Sequence, residues 1–153
     1  MHCQTEQEDA DTSQGNEHSQ TKIAWLRNDA RTHIKSQQLI EKFSDQGMDI
    51  WVMNVQNFPV EKVICFDFFM LEYADTETTH SQMQPISSIN HTLQDIRSST
   101  FAPLVILIEG QEMEQVLHVI ESGADAILPI NTASEVILAR CQALLRRWNR
   151  FNR

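Results

Sequence analysis

After residue 21, the chain alternates between short apolar runs and longer stretches with helical periodicity. Five runs have the length and composition of buried strands: KIAWL, DIWVMNV, KVICFDFF, APLVILI and DAILPI. Apolar residues at helical spacing follow most of them, at Ile34, Leu39, Ile40 and Phe43, at Ile86, Ile89, Leu93 and Ile96, at Met113, Val116, Leu117 and Ile120, and from Val136 to Trp148. Strands that alternate with helices pair in parallel through right-handed crossovers. The pattern therefore predicts an α/β domain with a doubly wound, five-stranded parallel sheet.

Two connections depart from this alternation. Only QNFPVE separates the second strand from the third, so the second helix is predicted to be short or missing. The third strand is predicted to begin at Lys62, with Asp67 at its end, and to lead into a polar loop over residues 71–85. The last helix is predicted to begin with a capping box, in which Thr132 and Glu135 satisfy the first backbone N–H groups.

Composition divides the chain into three parts. Residues 1–21 contain almost no large apolar side chain, which predicts a disordered acidic tail. Residues 22–148 are predicted to form the domain, and residues 149–153 a basic C-terminal end or the start of a linker. The net charge of −9 argues against a broadly basic nucleic-acid surface. Five arginines nevertheless crowd the C-terminal end: Arg140, Arg146, Arg147, Arg150 and Arg153. A favourable interaction with the helix dipole explains part of this crowding, and a docking or nucleic-acid role for these arginines stays open.

No segment has the character of a membrane span or of a secretory signal. No apolar run approaches the roughly 18 residues that a transmembrane helix needs. The three cysteines, Cys3, Cys65 and Cys141, are too few and too widely spaced for a disulfide framework or a zinc knuckle. We therefore expect a soluble protein of the reducing cytoplasm.

Motifs of known catalytic chemistry are missing from the sequence. It has no glycine-rich phosphate loop, no nucleophile elbow and no helical metalloprotease motif. The six histidines have no cysteine or acidic partner at the spacing of metal ligands. We therefore expect no enzymatic activity and no bound metal or cofactor.

In a sheet of this type, ligands bind outside the carboxyl ends of the strands. The sequence places six residues there: Arg27 and Asn28 after the first strand, Asp67 at the end of the third, Ile108 and Glu109 after the fourth, and Ile130 after the fifth. Asp67 is the carboxylate that stands out in this row, and Glu109, beside Ile108, is a second candidate. A divalent cation needs several oxygen ligands, so the row as predicted offers too few.

The second half of the chain contains the most specific sequence features. They are a Gly123-Ala124-Asp125 step, a Leu128-Pro129 step and a spacing of 22 residues between Ile108 and Ile130. In the first half, the corresponding stretches are KIAWLRNDA and VICFDFFML. Together, residues 22 to about 148 resemble the receiver domain of bacterial two-component response regulators. The resemblance implies a flavodoxin-like, receiver-like fold with strand order 2-1-3-4-5.

The resemblance also implies a phosphorylation site in which most residues are replaced. In the family, an acidic pair and an acceptor aspartate hold Mg²⁺, a lysine neutralises the transferred phosphoryl group, and a threonine or serine binds it. The acidic pair aligns with Arg27 and Asn28, the hydroxyl residue with Ile108, and the lysine with Ile130.

Asp67 takes the phosphoacceptor position under this resemblance and is the one site residue that remains. The strand-five aromatic of the family aligns with Ile127. We expect the Asp67 carboxylate to pair with Arg27, and Ile108, Ile127 and Ile130 to fill the former pocket. Mg²⁺ binding and phosphorylation are therefore predicted to be lost.

The function expected from the resemblance is that of a pseudo-receiver, an atypical signalling domain that acts by protein–protein interaction without phosphorylation. Its interaction face is predicted on the helix after strand four, on strand five and on the last helix: Met113, Val116, Leu138, Leu145 and Trp148. Because the last helix is apolar over more than one stripe, we expect a homodimer through this interaction face.

Two alternatives stay open. The chain can be the N-terminal regulatory module of a longer response regulator with a DNA-binding or cyclic-dinucleotide output domain. Nucleic acid would then be bound only through that fused domain. The other alternative is a regulator that is still phosphorylated on Asp67.

Overall fold

Residues 20–27, 34–74, 86–109 and 123–152 are described by the computed structural model of the chain. The strands are β1 Lys22–Arg27, β2 Asp49–Asn54, β3 Phe68–Ala74, β4 Leu104–Glu109 and β5 Ala126–Pro129. The α-helices of this part are α1 Ile34–Asp45, α2 Ile86–Ser99 and α3 Ser134–Phe151. The strands form one parallel sheet in the order β2-β1-β3-β4-β5. The predicted doubly wound α/β sheet is confirmed, and the helix predicted over Met113–Ile120 lies outside the described residues.

Each face of the sheet carries its own core. Successive side chains of a strand point to opposite faces, so β1 sends Ile23 and Trp25 to one face and Ala24 and Leu26 to the other. The first face packs against buried residues of α1 and α3, and the second against α2. Arg27 is two residues beyond Trp25 and therefore lies on the α1–α3 side.

The connection between β2 and β3 has no α-helix, which confirms the prediction of a short or missing second helix. It consists of two 3-10 segments, Val55–Asn57 and Val60–Cys65. The Asn54 side chain accepts a hydrogen bond from the Gln56 N–H at 2.9 Å and so caps the first segment. Three aromatic rings follow the connection into β3 with centroids 6.0–6.2 Å apart, and they cover the sheet where a longer helix would lie: Phe58, Phe66 and Phe69.

The predicted position of the third strand is wrong by about one strand length. Residues 62–65, predicted to begin the strand, belong to the 3-10 segment Val60–Cys65, in which Val63 is buried and Ile64 is 52% exposed. The strand begins at Phe68 and continues through Ala74, into the stretch predicted as a loop. The physical reason is that Phe68–Leu71 are fully buried and supply alternate side chains to both cores, which the VIC stretch does not.

The predicted capping box at the start of the last helix is also wrong. The N-cap of α3 is Ala133, and no side chain caps this end. The carbonyl oxygen of Ala133 accepts from the N–H groups of Val136 and Ile137, at 3.0 and 3.1 Å. Glu135 instead accepts a hydrogen bond from the Lys42 ammonium group on α1. Glu135, predicted from local sequence to cap the helix, thus forms an ion pair with another helix instead.

The ends of the chain are described only in part. Helix α3 continues to Phe151, three residues past the predicted domain boundary at residue 148. The Asn152 side chain then donates to the carbonyl oxygen of Trp148 at 3.0 Å. Residues 1–19 of the predicted tail, and Arg153, lie outside the described residues.

Two cysteines are described. Cys141 is a free thiol in the core between α3 and the sheet, and its burial raises its pKa to about 12. Cys65 is half-buried against the α2-side core. Within the described part of the chain, no helix combines the length and apolar character required to cross a bilayer.

Candidate functional site

A buried carboxylate lies at the carboxyl end of β3, and it belongs to Glu72. Glu72 is 4% exposed, and its Cα is the register partner of Arg27 at the end of β1. On its other side, Glu72 is paired with Leu107 of β4. Parallel strands end at the same edge of a sheet, so Glu72 occupies the edge where ligands of such sheets bind.

Two donors hold the Glu72 side chain. The indole N–H of Trp25 donates to Oε1 of Glu72, and the Nε of Arg27 lies 3.4 Å from the same oxygen. Trp25 is itself fully buried and packs edge-to-face against Phe43 of α1, with ring centroids 5.8 Å apart. A buried carboxylate is costly unless a charge and hydrogen bonds compensate it. Arg27 and Trp25 supply that compensation, and we call the three residues the Arg27–Glu72 cluster.

The guanidinium of Arg27 is not saturated. Its Nη2 atom is buried and has no hydrogen-bond partner in the described part of the chain. The side chain as a whole is 14% exposed. Among the described residues, Arg27 is therefore held by one oxygen of Glu72.

Asp67 lies at the opposite edge of the sheet, which corrects its predicted position. It immediately precedes β3, where its Oδ2 accepts from the backbone N–H of Lys22 at 2.9 Å. Its own N–H donates to the carbonyl oxygen of Lys22 at 2.8 Å. The predicted ion pair between Asp67 and Arg27 is therefore wrong, because the two residues are at opposite ends of their strands. Arg27 pairs with Glu72 instead.

The three isoleucines predicted to fill the former pocket are not all brought together. Ile108 is buried in the α2-side core, and Ile127 packs against the same core. Ile130 follows β5, where its N–H donates to the carbonyl oxygen of Ile108 at 2.9 Å. Its side chain lines a cavity of about 180 Å³ between the first turn of α1 and the loop that leads into α3. Ile108 and Ile127 thus pack on the α2 side of the sheet, whereas Ile130 lines the cavity beside α1. Asn28 lies outside the described residues.

The described side chains at this edge do not fit a Mg²⁺ ion. Mg²⁺ requires near-octahedral oxygen ligands, and the one carboxylate described here, Glu72, is already bonded to a cation and an indole. The positive charge of Arg27 would repel a divalent ion at the same place. No three histidine, cysteine, aspartate or glutamate side chains among the described residues converge on a possible metal site.

The Gly123-Ala124-Asp125 step has a structural role in the described part of the chain. Arg97 of α2 donates to the carbonyl oxygen of Gly123 at 2.7 Å and to Oδ2 of Asp125 at 2.6 Å. The same Asp125 oxygen accepts from the N–H of Leu104 at 2.8 Å, at the start of β4. Gly123 has φ +95°, and a Cβ there would lie 3.2 Å from Arg97 Cγ, so glycine suits both the backbone and the contact.

The predicted interaction face is only partly accessible. Met113 and Val116 lie outside the described residues. Leu145 is buried in the α1–α3 core and is unavailable to a partner, which corrects that part of the prediction. Leu138 is half-buried against the same core, and Trp148 is half-buried against the α2-side core. The extra apolar positions of the last helix are thus largely used inside the domain.

Glu72 is the site residue that the sequence interpretation missed. The signal was present in FFMLEY, where a single charged residue interrupts a run apolar enough to be buried on both faces. Its partner was visible in KIAWLR, in which an arginine follows the apolar run directly. Because the third strand was predicted to end near Asp67, this residue was assigned to the carboxyl edge in place of Glu72, five residues later.

Comparison with known proteins places this geometry in one fold. Neither a protein-family model nor a curated protein sequence matches the chain. Among solved structures, a two-component response regulator from Clostridium difficile has a TM-score of 0.60 at 24% identity, covering 85% of this chain and 99% of that one. The BeF3-activated N-terminal receiver domain of Klebsiella pneumoniae RstA has a TM-score of 0.60 at 20% identity, covering 82% and 99%.

A third match is the Vibrio cholerae chemotaxis protein CheY4, with a TM-score of 0.59 at 15% identity and coverage of 82% and 99%. At these identities, the likeness establishes the fold alone. The chain therefore has the fold of response regulator receiver domains, with the Arg27–Glu72 cluster at the carboxyl edge of its sheet.

Proposed function

We propose that the chain is a signalling domain of the receiver type that works without phosphorylation and acts by binding other proteins. The fold supports a response-regulator signalling module. The observation that carries the rest of the proposal is the Arg27–Glu72 cluster. An arginine and a glutamate at the two strand ends neutralise each other at the carboxyl edge of the sheet, the edge where ligands of such sheets bind.

The chemistry of the cluster disfavours phosphoryl transfer in two ways. A carboxylate attacks phosphorus usefully only when cations offset the charge that develops on the phosphoryl oxygens. Arg27 is engaged with Glu72, the carboxylate that would have to attack at this edge, and Ile130 stands where the resemblance assigns a lysine. Glu72 is also nearly inaccessible, since it is buried and bonded through Oε1 to two donors. The domain is therefore held in one state by its own ion pair.

The test is a titration of the protein with Mg²⁺ and beryllofluoride, followed by tryptophan fluorescence. Trp25 donates directly to Glu72, so a ligand that displaced this bond would change the emission. We expect no saturable change in the wild type, and none in Glu72→Gln, which serves as the matched control. Asp67→Asn is the second control, because it reports on the opposite edge of the sheet.

A saturable change in the wild type would overturn the proposal. If it disappeared in Glu72→Gln, the domain would be a phosphate switch at Glu72. If it disappeared in Asp67→Asn alone, the alternative of a regulator phosphorylated on Asp67 would be correct.

Self-association is the second part of the proposal. Leu138 and Trp148 are the accessible remainder of the interaction face, and a second copy of the chain can cover them. Light scattering at about 100 μM should give the mass of two chains, a concentration at which a dimer with micromolar Kd is nearly complete. Leu138→Glu should shift the mass towards one chain. Val136→Glu, on the opposite side of the same helix, should not. A monomeric wild type would exclude a stable homodimer.

A further inference from the structure

Four arginines lie along the solvent side of α3, and we call them the arginine stripe: Arg140, Arg146, Arg147 and Arg150. All four are exposed, whereas the helix buries Ile137, Cys141 and Leu145 on its other side. Within the described part of the chain, none of the four forms an ion pair or a hydrogen bond to another side chain. The arginine stripe is therefore a positive surface without a partner among the described residues.

The stability of α3 does not account for the arginine stripe. A basic residue interacts favourably with the helix dipole in the last turn, and of the four only Arg150 lies there. Arg146 and Arg147 are four and three residues from Arg150, and like charges at these spacings repel one another and weaken a helix. The like charges of the arginine stripe thus disfavour the helix locally, which points to a role outside the helix.

We propose that the arginine stripe is a docking surface for an acidic segment of another polypeptide. Guanidinium groups bind carboxylates through paired, charge-assisted hydrogen bonds of matching planar geometry. At the rise of an α-helix, Arg140 and Arg150 are about 15 Å apart along the axis. Carboxylates on three to four successive turns of a partner helix, at about 5.4 Å a turn, extend over a similar length.

The charge of the remaining chain decides the class of partner. The net charge of −9 includes the four positive charges of the arginine stripe, so the other residues together carry −13. A nucleic-acid duplex or an anionic membrane extends far beyond about 15 Å, and this acidic remainder would repel it. A short acidic polypeptide contacts the arginine stripe without meeting the rest of the surface. It is therefore the partner that the charge distribution fits.

This inference shares with the proposed function only the claim that the domain binds proteins. The arginine stripe is on the outer side of α3, opposite to Leu138 and remote in sequence from the Arg27–Glu72 cluster. Loss of binding at the arginine stripe would leave the beryllofluoride titration unchanged. The two proposals can therefore fail separately.

The experiment measures binding of a fluorescein-labelled, alanine-rich helical peptide, with glutamates three or four residues apart, to the full chain by anisotropy. Arg140→Glu/Arg147→Glu should weaken binding at least tenfold. The matched control, Lys35→Glu/Lys62→Glu, changes the net charge equally at exposed positions on α1 and in the 3-10 segment, and should alter Kd less than threefold. Raising the salt from about 0.03 M to about 0.3 M should weaken wild-type binding, because screening shortens the reach of exposed charges.

Four results would overturn the inference. They are absence of peptide binding to the wild type at millimolar concentration, equal losses in the two double variants, tighter binding of a DNA duplex than of the peptide, and tighter binding of vesicles containing anionic lipid. Arg140→Gln/Arg147→Gln keeps the helix propensity nearly unchanged. If the charge-reversed variant does not fold, this neutral variant should still weaken peptide binding more than threefold, and a smaller effect would equally overturn the inference.

Discussion

Asp67 and Glu72 are carboxylates at opposite ends of the same strand, and their surroundings differ completely. Asp67 is half-buried at the amino edge, where its carboxylate accepts from the backbone N–H of Lys22. Glu72 is buried at the carboxyl edge, where Arg27 and the Trp25 indole hold it. The first carboxylate ties the starts of two strands together, and the second forms a charged cluster inside the domain.

The difference teaches that the position of a carboxylate within its strand decides what it can do. A residue at the amino edge of a parallel sheet is remote from the edge where ligands bind, whatever its chemistry. A residue at the carboxyl edge, such as Glu72, lies at the ligand-binding edge even when it is bonded to an arginine. The following predictions test this contrast, beginning with the largest expected effect.

Removing the cation of the cluster should have the largest effect on stability. Arg27→Ala leaves the buried Glu72 carboxylate without a compensating charge, so the free energy of unfolding should fall by about 3 kcal/mol. Urea denaturation followed by circular dichroism measures this loss. The double variant Arg27→Ala/Glu72→Gln should recover part of it, because no uncompensated charge remains. A loss below about 1 kcal/mol for Arg27→Ala would mean that the pair is weak, as exposed pairs are.

Removing the indole donor should have an intermediate effect. Trp25→Phe keeps an aromatic ring against Phe43 but leaves Glu72 with one donor fewer, and should cost about 1–2 kcal/mol. The matched control is Trp51→Phe, since Trp51 is 46% exposed and its indole donates to Asp49 at the surface. The control should change the free energy of unfolding by less than about 0.5 kcal/mol. Equal losses in both variants would indicate that ring size, rather than the bond to Glu72, is responsible.

Neutralising the carboxylate at the amino edge should have a smaller effect. In Asp67→Asn the amide oxygen can still accept from the Lys22 N–H, so the cost should be about 0.5 kcal/mol. Asp67→Ala removes the acceptor and should cost about 1 kcal/mol. Thermal unfolding of both variants and of Arg27→Ala shows which edge of the sheet contributes more to stability. A larger loss for Asp67→Asn than for Arg27→Ala would reverse the contrast.

The smallest effect is expected at the exposed pair between Lys42 and Glu135. The hydrogen bond from Lys42 lowers the pKa of Glu135. A carboxyl group with a lowered pKa in the folded state stabilises the protein above its unfolded pKa and loses this contribution as the pH falls through its folded pKa. Because Glu135 is fully exposed, the difference in melting temperature between wild type and Glu135→Gln should be barely measurable at neutral pH and should vanish at strongly acidic pH. A difference that grew on acidification would contradict this sign.

Much of the fold could be predicted from the pattern of the chain. Alternating apolar runs and helical stretches predicted the parallel sheet, and the six residues of QNFPVE left no room for a full helix between β2 and β3. These features depend on segment length and on the burial of both faces of a parallel sheet, which are properties of the local sequence. The site depended on where β3 begins, and local sequence did not decide that.

The sequence by itself determined the type and order of the elements, because hydrophobic periodicity and connection length are written along the chain. Only the tertiary structure decided which residues meet. In it, β3 begins at Phe68 and Glu72 pairs with Arg27. Glu135, at the start of α3, bonds to Lys42 and does not cap the helix. The physical reason is that two apolar runs, VIC and FFML, compete for the same place in the sheet. The second can fill both cores at once, whereas the first can bury Val63 but not Ile64.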